Sequence, residues 1–384
     1  MLYPPRGLTN HLLLCYNGAI LKKKKRCIFM HMADALLAPA AAATMYAATA
    51  VTVGASVNTL KKDEKLEKLP TMAVASALVF AGQMVNYTIP GTGSSGHLCG
   101  GMMLTALLGP QAGFLSMVVI LAIQCLFFAD GGILALGANC WNMAFYGCFV
   151  GYYLLWKPIL RSKLFRGLGT KTATRIKISL ASILGCILTL QLGAFSVVLE
   201  TSLSGITELP FGAFVGIMQP IHLAIGLIEG LITSAVLVFV YEARPELLMD
   251  VDTSDAAVQS KYSLKTTIVI LAVVVAIVGG GMSLLASGNP DGLEWSMFGN
   301  AESGYSENMG LDEDAYGISS GAAEVAGSIQ EKTAFLPDYA FANSDSAAGT
   351  TVSGLLGSAI VAGVAVLICM AGGFFRKKKT AANA

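Results

Sequence analysis

A Met–His pair, Met30 and His31, stands directly after the basic run at 22–26 and directly before an apolar segment. In a chain that begins Met-His, the α-amine, the deprotonated His amide and the imidazole close two fused chelate rings on one metal. Those three nitrogens share a plane, and a fourth completes a square. Such ligation suits Ni(II) or Cu(II) better than Zn(II) or Mg(II). The chain has four histidines: His11, His31, His97 and His222. His97 lies in the Gly-rich turn IPGTGSSGHLCGG at 89–101, and spacing alone leaves it open between a metal ligand and a loop histidine satisfied by carbonyls. Cys99 as a thiolate would draw the preference toward Cu(I) or Zn(II).

Other residues invite polar chemistry in apolar surroundings. His222 and Glu229 fall seven apart in the apolar segment 213–241, where an ionisable group is a functional candidate. Two helical turns separate them, so each is expected to pair with another helix, in a coupling or structural role rather than as a ligand. Asn139 and Asn142, in GANCWNM, either steady the ligand imidazoles by hydrogen bonds or bond between helices. Asp130 follows a span end and is expected to be solvated at the interface.

These residues need a membrane scaffold to hold them. Of the 384 residues, 54% are hydrophobic and only 13% charged, with a mean hydropathy of +0.65. A soluble domain carries about 25% charged residues. Apolar segments long enough for a bilayer recur at roughly 33–59, 71–89, 111–129, 138–156, 177–199, 213–241, 264–287 and 353–375, with a shorter one at 98–109. An all-α polytopic membrane protein is expected. The net charge of +1 says nothing about partners, and no nucleic-acid partner is expected. The eight cysteines form no CxxC pair and read as small buried hydrophobes. GLGTKT at 167–172 lacks the spacing of a phosphate loop, so energy for uphill transport would come from a partner or an ion gradient.

Charge sets the register. The connection 157–177 has seven Lys and Arg and no acid, and 61–68 has four Lys; both are expected in the cytoplasm. An even number of crossings must lie between them, which requires the short segment 98–109 as a membrane-inserted leg. The stretch 288–352 has eleven acids and one Lys, as in a translocated loop, and the tail RKKK at 376–379 returns to the cytoplasm. Met30 then lies on the outer face, which conflicts with the basic cluster beside it. Three readings of 1–29 address that conflict: a signal peptide, a retained arm, or translation that truly begins at Met30. The third is preferred, since the codons for KKKKR can spell a purine-rich ribosome-binding site.

Four ordered motifs, MHMADALL, GTGSSGHLCGG, DGGILALGANCWNM and QPIHLAIGLIEGLITSAVLVFVYEARPELL, resemble the CbiM/NikM family. Its members are substrate-binding membrane components of energy-coupling-factor (ECF) importers for cobalt and nickel, and the resemblance covers 30 to about 249. It implies a helical bundle of about seven spans, with the N-terminal segment inserted to meet the Gly-rich loop. It further implies metal ligands at Met30, His31 and His97. Retained upstream residues would abolish the amine ligand, and Ala35 stands where the family usually has Gly. NPDGLEWS at 289–296 resembles the PDGLE signature of the two-span N component. It is fused here behind a polar linker at 250–263, giving a second unit at 264–384.

The resemblance implies an importer component in the plasma membrane, with the metal site outside and the C-terminus in the cytoplasm. Its partners would be a transmembrane coupling component and two ATPase subunits, as in ABC-type systems. No permanent cofactor and no enzymatic activity of its own are expected; Co(II) or Ni(II) is the substrate. The cobalt branch feeds cobalamin biosynthesis. SGHLCGG and DGG look closer to the nickel branch, and the metal is left as cobalt or nickel. The small-residue pairs Ala43–Ala47 and Ala50–Gly54 permit close helix approach, toward the coupling component or within the chain. A stand-alone channel or ion-driven carrier would need polar residues in several spans. A membrane enzyme would need a nucleophile–base pair, and none is visible.

Overall fold

The computed structural model describes residues 31–61, 69–165, 167–205, 210–253, 259–300, 321–341 and 346–382. Met30 and its leader, most of the 61–68 loop, the linker residues 254–258 and the acidic stretch 301–320 lie outside the described residues. After a 3₁₀ turn at Asp34–Leu36 come α1 (Pro39–Leu60), α2 (Leu69–Gln83), strands β1 (Tyr87–Ile89) and β2 (Ser94–Gly96), α3 (Gly101–Leu108) and α4 (Pro110–Phe128). Next, α5 (136–161) is α-helical at Leu136–Asn139, π-helical at Cys140–Val150 and Tyr152–Trp156, and α-helical again at Lys157–Arg161. It is followed by α6 (Thr170–Leu203), α7 (Phe211–Ala243), α8 (Leu264–Gly280), α9 (Gly292–Phe298), α10 (Gly321–Thr333) and α11 (Ala348–Ala382). Among the described residues, six helical stretches are long and apolar enough to cross a membrane: Pro39–Leu60, Pro110–Phe128, Thr170–Leu203, Phe211–Ala243, Leu264–Leu285 and Ala348–Ile368. The expected all-α membrane architecture holds, with one small antiparallel hairpin pairing Tyr87 with Gly96 and Ile89 with Ser94.

The short segment is not a full span. Its helix α3 has eight residues, about 12 Å at the α-helical rise, against a bilayer core of about 30 Å. All eight are buried. The remaining length is coil that descends inside the protein. At the far end of α3 the Met249 amide donates to the Ala106 carbonyl at 2.8 Å. The Met249 carbonyl in turn accepts from Trp156 Nε1 at 3.0 Å. Coil plus half-helix therefore carry the chain from the histidine end of the bundle to the opposite end.

Without a strong hydrophobic drive between helices in lipid, close backbone approach supplies the packing. The helices α3 and α5 cross at Gly101 and Gly147, where a Cβ on Gly147 would stand 2.8 Å from the Gly101 Cα. On α7, Gly226 and Gly230 face the backbone of Ile187 and Ile183 on α6. The two C-terminal spans α8 and α11 meet at Gly279 and Gly354, and Gly357 of α11 rests on Phe80 of α2. By contrast, Ala43, Ala47, Ala50 and Gly54 on α1 are exposed, and nothing lies within 4 Å of a Cβ at Gly54. The small-residue pairs of the first span thus meet no close partner among the described residues. A matched pair of substitutions follows. Gly230→Val should lower stability by about 1–3 kcal/mol through overpacking, whereas Gly54→Val should leave it unchanged. Thermal unfolding of the detergent-purified protein reads both.

The short helix α9 is capped by Asp291, whose Oδ1 accepts from the Glu294 amide at 2.8 Å. The side chain is buried, and that burial pushes its carboxyl up to about 6. The folded value lies above the unfolded value of about 3.9, so the folded state binds the extra proton between them. Stability is therefore lost as pH rises through about 6. Asparagine keeps the capping acceptor without the charge. Asp291→Asn should stabilise the protein by on the order of 2 kcal/mol at pH 7.5. The gain should fade toward zero below pH ~4, as read by unfolding temperature against pH.

Candidate metal centre

The segment after Met30 enters the protein as extended backbone and is seated by α5. Asn139 holds it as a strand partner would: the Met32 amide donates to Asn139 Oδ1 at 3.0 Å, and Asn139 Nδ2 donates to the Met32 carbonyl at 3.1 Å. The Gly132 amide adds a bond to the same carbonyl at 3.1 Å. The Asp34 carboxylate accepts from the Ala135 amide at 3.1 Å, and burial raises its pKa. The 3₁₀ turn Asp34–Leu36 forms with Ala35 in its middle. Two glycines make this seat. Gly131, at φ 78°, brings its backbone under the His31 Cβ, where a side chain would clash at 2.8 Å. A Cβ on Gly132 would lie 1.8 Å from Asp34 Oδ1.

His31 is 5% exposed, and its Nδ1 stands 2.8 Å from Asp130 Oδ1. Asp130 is also buried, which corrects the expectation of a solvated interfacial carboxylate. Burial would raise its pKa, but the neighbouring His31 and the Tyr339 hydroxyl hold it below the usual value. The Nε2 of His31 is buried without a hydrogen-bond partner. A fused chelate through the His31 amide uses Nδ1. That nitrogen cannot both hold a proton toward Asp130 and bind metal, so chelation requires the ring to turn away from Asp130.

His97 approaches from the Gly-rich coil. Its ring centroid is 5.5 Å from that of His31, tilted by 58°. Its Nδ1 lies 3.1 Å from the Leu98 carbonyl, the kind of contact that fixes the orientation of a ligand imidazole. Glu229 of α7 pins the coil just beyond. Its two oxygens accept from the Cys99 and Gly100 amides, each at 2.9 Å. Gln83 Nε2 donates to the Cys99 carbonyl at 2.9 Å. The Cys99 thiol turns to the Met143 carbonyl, at 3.4 Å.

Both imidazoles line a cavity of about 110 Å³ that also reaches Asn142, His222 and Asp291. His222 bonds within its own helix, with Nδ1 2.8 Å from the Met218 carbonyl. That contact leaves Nε2 as the other ring nitrogen, and α9 lies against the ring at Gly292, where a Cβ would stand 2.9 Å from His222 Cε1. The amide of Asn142 donates to Glu200 Oε2 at 2.8 Å, a bond between helices, while its buried Oδ1 has no partner. The structure thus brings His31, His97 and His222 to one chamber, with Glu229 behind the loop and Asn139 behind the N-terminal segment. Met30 lies outside the described residues. Among the described residues no three His, Cys, Asp or Glu side chains converge as a metal cluster. Two imidazoles leave a coordination sphere open.

Several contributors were not singled out from sequence. Asp34, Tyr339 and Asp291 meet the site only through long-range folding. The doubled glycine after Asp130 was the one local signal of a tight seat.

Comparison with known proteins matches residues 31–247 to the family model CbiM, described as the cobalt uptake substrate-specific transmembrane region. Residues 265–372 match the PDGLE domain. The chain is 31% identical over 347 residues to a fused nickel transport protein NikMN of Rhodobacter capsulatus, covering 87% of this chain and 96% of that one. It is 28% identical over 251 residues to a cobalt transport protein CbiM of Geobacter sulfurreducens, covering 63% of this chain and 68% of that one. A crystal structure of a truncated transition metal transporter is 30% identical and covers 55% of this chain and 98% of that chain, with a TM-score of 0.45. The chain belongs to the CbiM family of cobalt and nickel transport proteins, with a PDGLE domain following its CbiM region.

Proposed function

We propose that this chain is the substrate-binding component of an ATP-driven ECF importer that takes up Co(II) or Ni(II). The metal is held by the Met30 amine, the amide and imidazole of His31, and the imidazole of His97. The observation that supports this most directly is the convergence of the His31 and His97 rings, 5.5 Å apart, on one cavity at the end of a buried N-terminal segment. The cavity is lined mostly by apolar groups, surroundings that strengthen ligation by neutral nitrogen donors. A site of nitrogens around one point selects Ni(II) or Co(II) over hard cations that prefer oxygen.

Energy must come from elsewhere. The sequence has no phosphate loop, so ATPase partners and a transmembrane coupling component supply the work. The exposed Ala43, Ala47, Ala50 and Gly54 face of α1 supports a transmembrane partner, because small residues let helices approach closely in lipid. The charge pattern supports a metal chamber at the outer face and the basic 157–177 connection in the cytoplasm.

Uptake of radiolabelled nickel and cobalt in cells lacking their own importers tests this reading. Accumulation should require the ATPase and coupling genes, and His97→Ala should reduce it to background. Uptake that survives that substitution, or proceeds without the ATPase, would sink the assignment. Mass spectrometry of the purified protein tests the amine ligand separately. A mature chain beginning at Met30 is expected, and one that retains Met1 removes the amine from the site.

A further inference from the structure

We propose that Asp291, carried by the PDGLE domain, supplies the counter-charge for the cation held at His31 and His97. It acts through space and is not itself a ligand. The proposal rests on the reading of those two histidines as ligands.

Asp291 lines the same cavity as both imidazoles and is 6% exposed. Its Oδ1 accepts from the Glu294 amide at 2.8 Å, which fixes the carboxylate at the start of α9 and keeps that oxygen from a metal. No Lys or Arg among the described residues forms an ion pair with it. The titratable side chains it does feel lie around the chamber, His31 favourably and Asp130 unfavourably. His31 already has a carboxylate of its own, since its Nδ1 stands 2.8 Å from Asp130 Oδ1. When the ring turns to chelate, Asp130 keeps the Tyr339 hydroxyl, 2.6 Å from its Oδ2. Asp291 is thus a buried carboxylate with no cationic side chain to itself. Proteins hold such groups by pairing them or by placing them at a metal. A cation arriving between the two imidazoles is the missing positive charge, and apolar surroundings strengthen that attraction beyond its value in water.

The placement is tied to the ligands as well as to α9. Ser95, two residues before His97, donates its amide to the Pro290 carbonyl at 2.8 Å and its hydroxyl to the Asn289 carbonyl at 2.8 Å. One hairpin therefore carries His97 at its exit and Asp291 on its flank, so direct bonds set their separation. The capping bond alone does not call for a charge, because Asn or Ser caps a helix as well as Asp. The charge even works against the empty protein, since burial disfavours the ionised form. A group that lowers stability while facing a binding chamber is the trade-off that function produces.

Three measurements on the full-length purified protein at pH 7.5 test the proposal: nickel affinity by calorimetry, unfolding temperature without metal, and the d–d absorption of bound Ni(II). Asp291→Asn should weaken nickel binding by about 10–100-fold while raising the unfolding temperature of the metal-free protein. Asp291→Ser, which also keeps a capping oxygen, should show the same loss of affinity. The d–d spectrum should stay at its wild-type position in both, because no ligand is removed. Glu324→Gln, which removes an exposed acid of the same domain, should leave affinity unchanged. If Asp291→Asn binds nickel as wild type does while His97→Ala abolishes binding, the counter-charge is wrong and the metal site stands. Weaker binding together with a lower unfolding temperature would also overturn it, by reducing Asp291 to a structural cap. A displaced spectrum would do the same, by making Asp291 a ligand. Binding untouched by both His31→Ala and His97→Ala would remove the metal site itself.

Discussion

One buried carboxylate carries the irregular backbone on which the rest of the chamber is built. Glu229 is 1% exposed and accepts from two successive amides, Cys99 and Gly100. Coil at membrane depth is tolerated only where its polar groups find partners inside the protein. Two orphaned amides there would each cost several kcal/mol. The chain turns directly after these two amides at Gly100, whose φ of 85° is the left-handed region that glycine enters without strain. A side chain on it would collide with Val79 at 2.4 Å. The carboxylate thus determines where α3 begins, and with it the position of His97 two residues upstream of Cys99. The same amides open α3, so the negative charge also faces the favourable end of its dipole.

A second and independent clamp holds the opposite wall. Asn139 binds the amide and carbonyl of Met32, and the Asp130–Gly131–Gly132 turn lies beneath His31 with no room for additional side chains. The two walls come from different parts of the sequence and share no hydrogen bond with each other. Their meeting is enforced by the helices, through α3 crossing α5 at Gly101 and Gly147. The His97 imidazole and the backbone entering at His31 are therefore placed before any cation arrives. That reduces the ordering cost on binding and narrows the range of ion sizes and geometries accepted. The part left to move is the His31 ring, whose Nδ1 must leave Asp130 to join a chelate.

Much of this was legible from residues alone, and the reasons are physical. Apolar length and Lys/Arg asymmetry reveal spans because a bilayer imposes a fixed thickness and a charge bias. The parity of those spans identified the 98–109 segment as inserted, although only a half-helix of it exists. The seven-residue spacing of His222 and Glu229 correctly excluded a bond between them, but their separate partners could not be read. Glu229 reaches across to a loop 129 positions away from it, whereas His222 is satisfied one turn back in its own helix. Asn139 was considered as a support for imidazoles, and its bonds go instead to the backbone next to one. Asp130 illustrates the general limit. A carboxylate at the end of a span is usually wetted, and only the arrival of Tyr339 from a distant unit buries it. Long-range burial of a polar group leaves no local periodicity to detect.

The PDGLE domain is attached to the bundle by two unlike kinds of contact, and both are buried. Its helices α8 and α11 pack on α2 through backbone-close glycine contacts and buried apolar side chains. Its leading segment meets the β1–β2 hairpin mainly through hydrogen bonds. The Ser95 amide donates to the Pro290 carbonyl at 2.8 Å, the Ser287 amide donates to the Asn86 carbonyl at 2.7 Å, and Asn300 donates to the Gly93 carbonyl at 2.7 Å. These bonds lie away from water: Ser95 is 0% exposed, Asn300 2% and Asn86 5%. Breaking one without a replacement leaves a buried donor or acceptor unpaired at about 1–3 kcal/mol, and parting the glycine-lined helices opens voids that nothing fills. Both kinds of contact therefore resist separation, and the hairpin bonds hold the segment that brings Gly292 against His222.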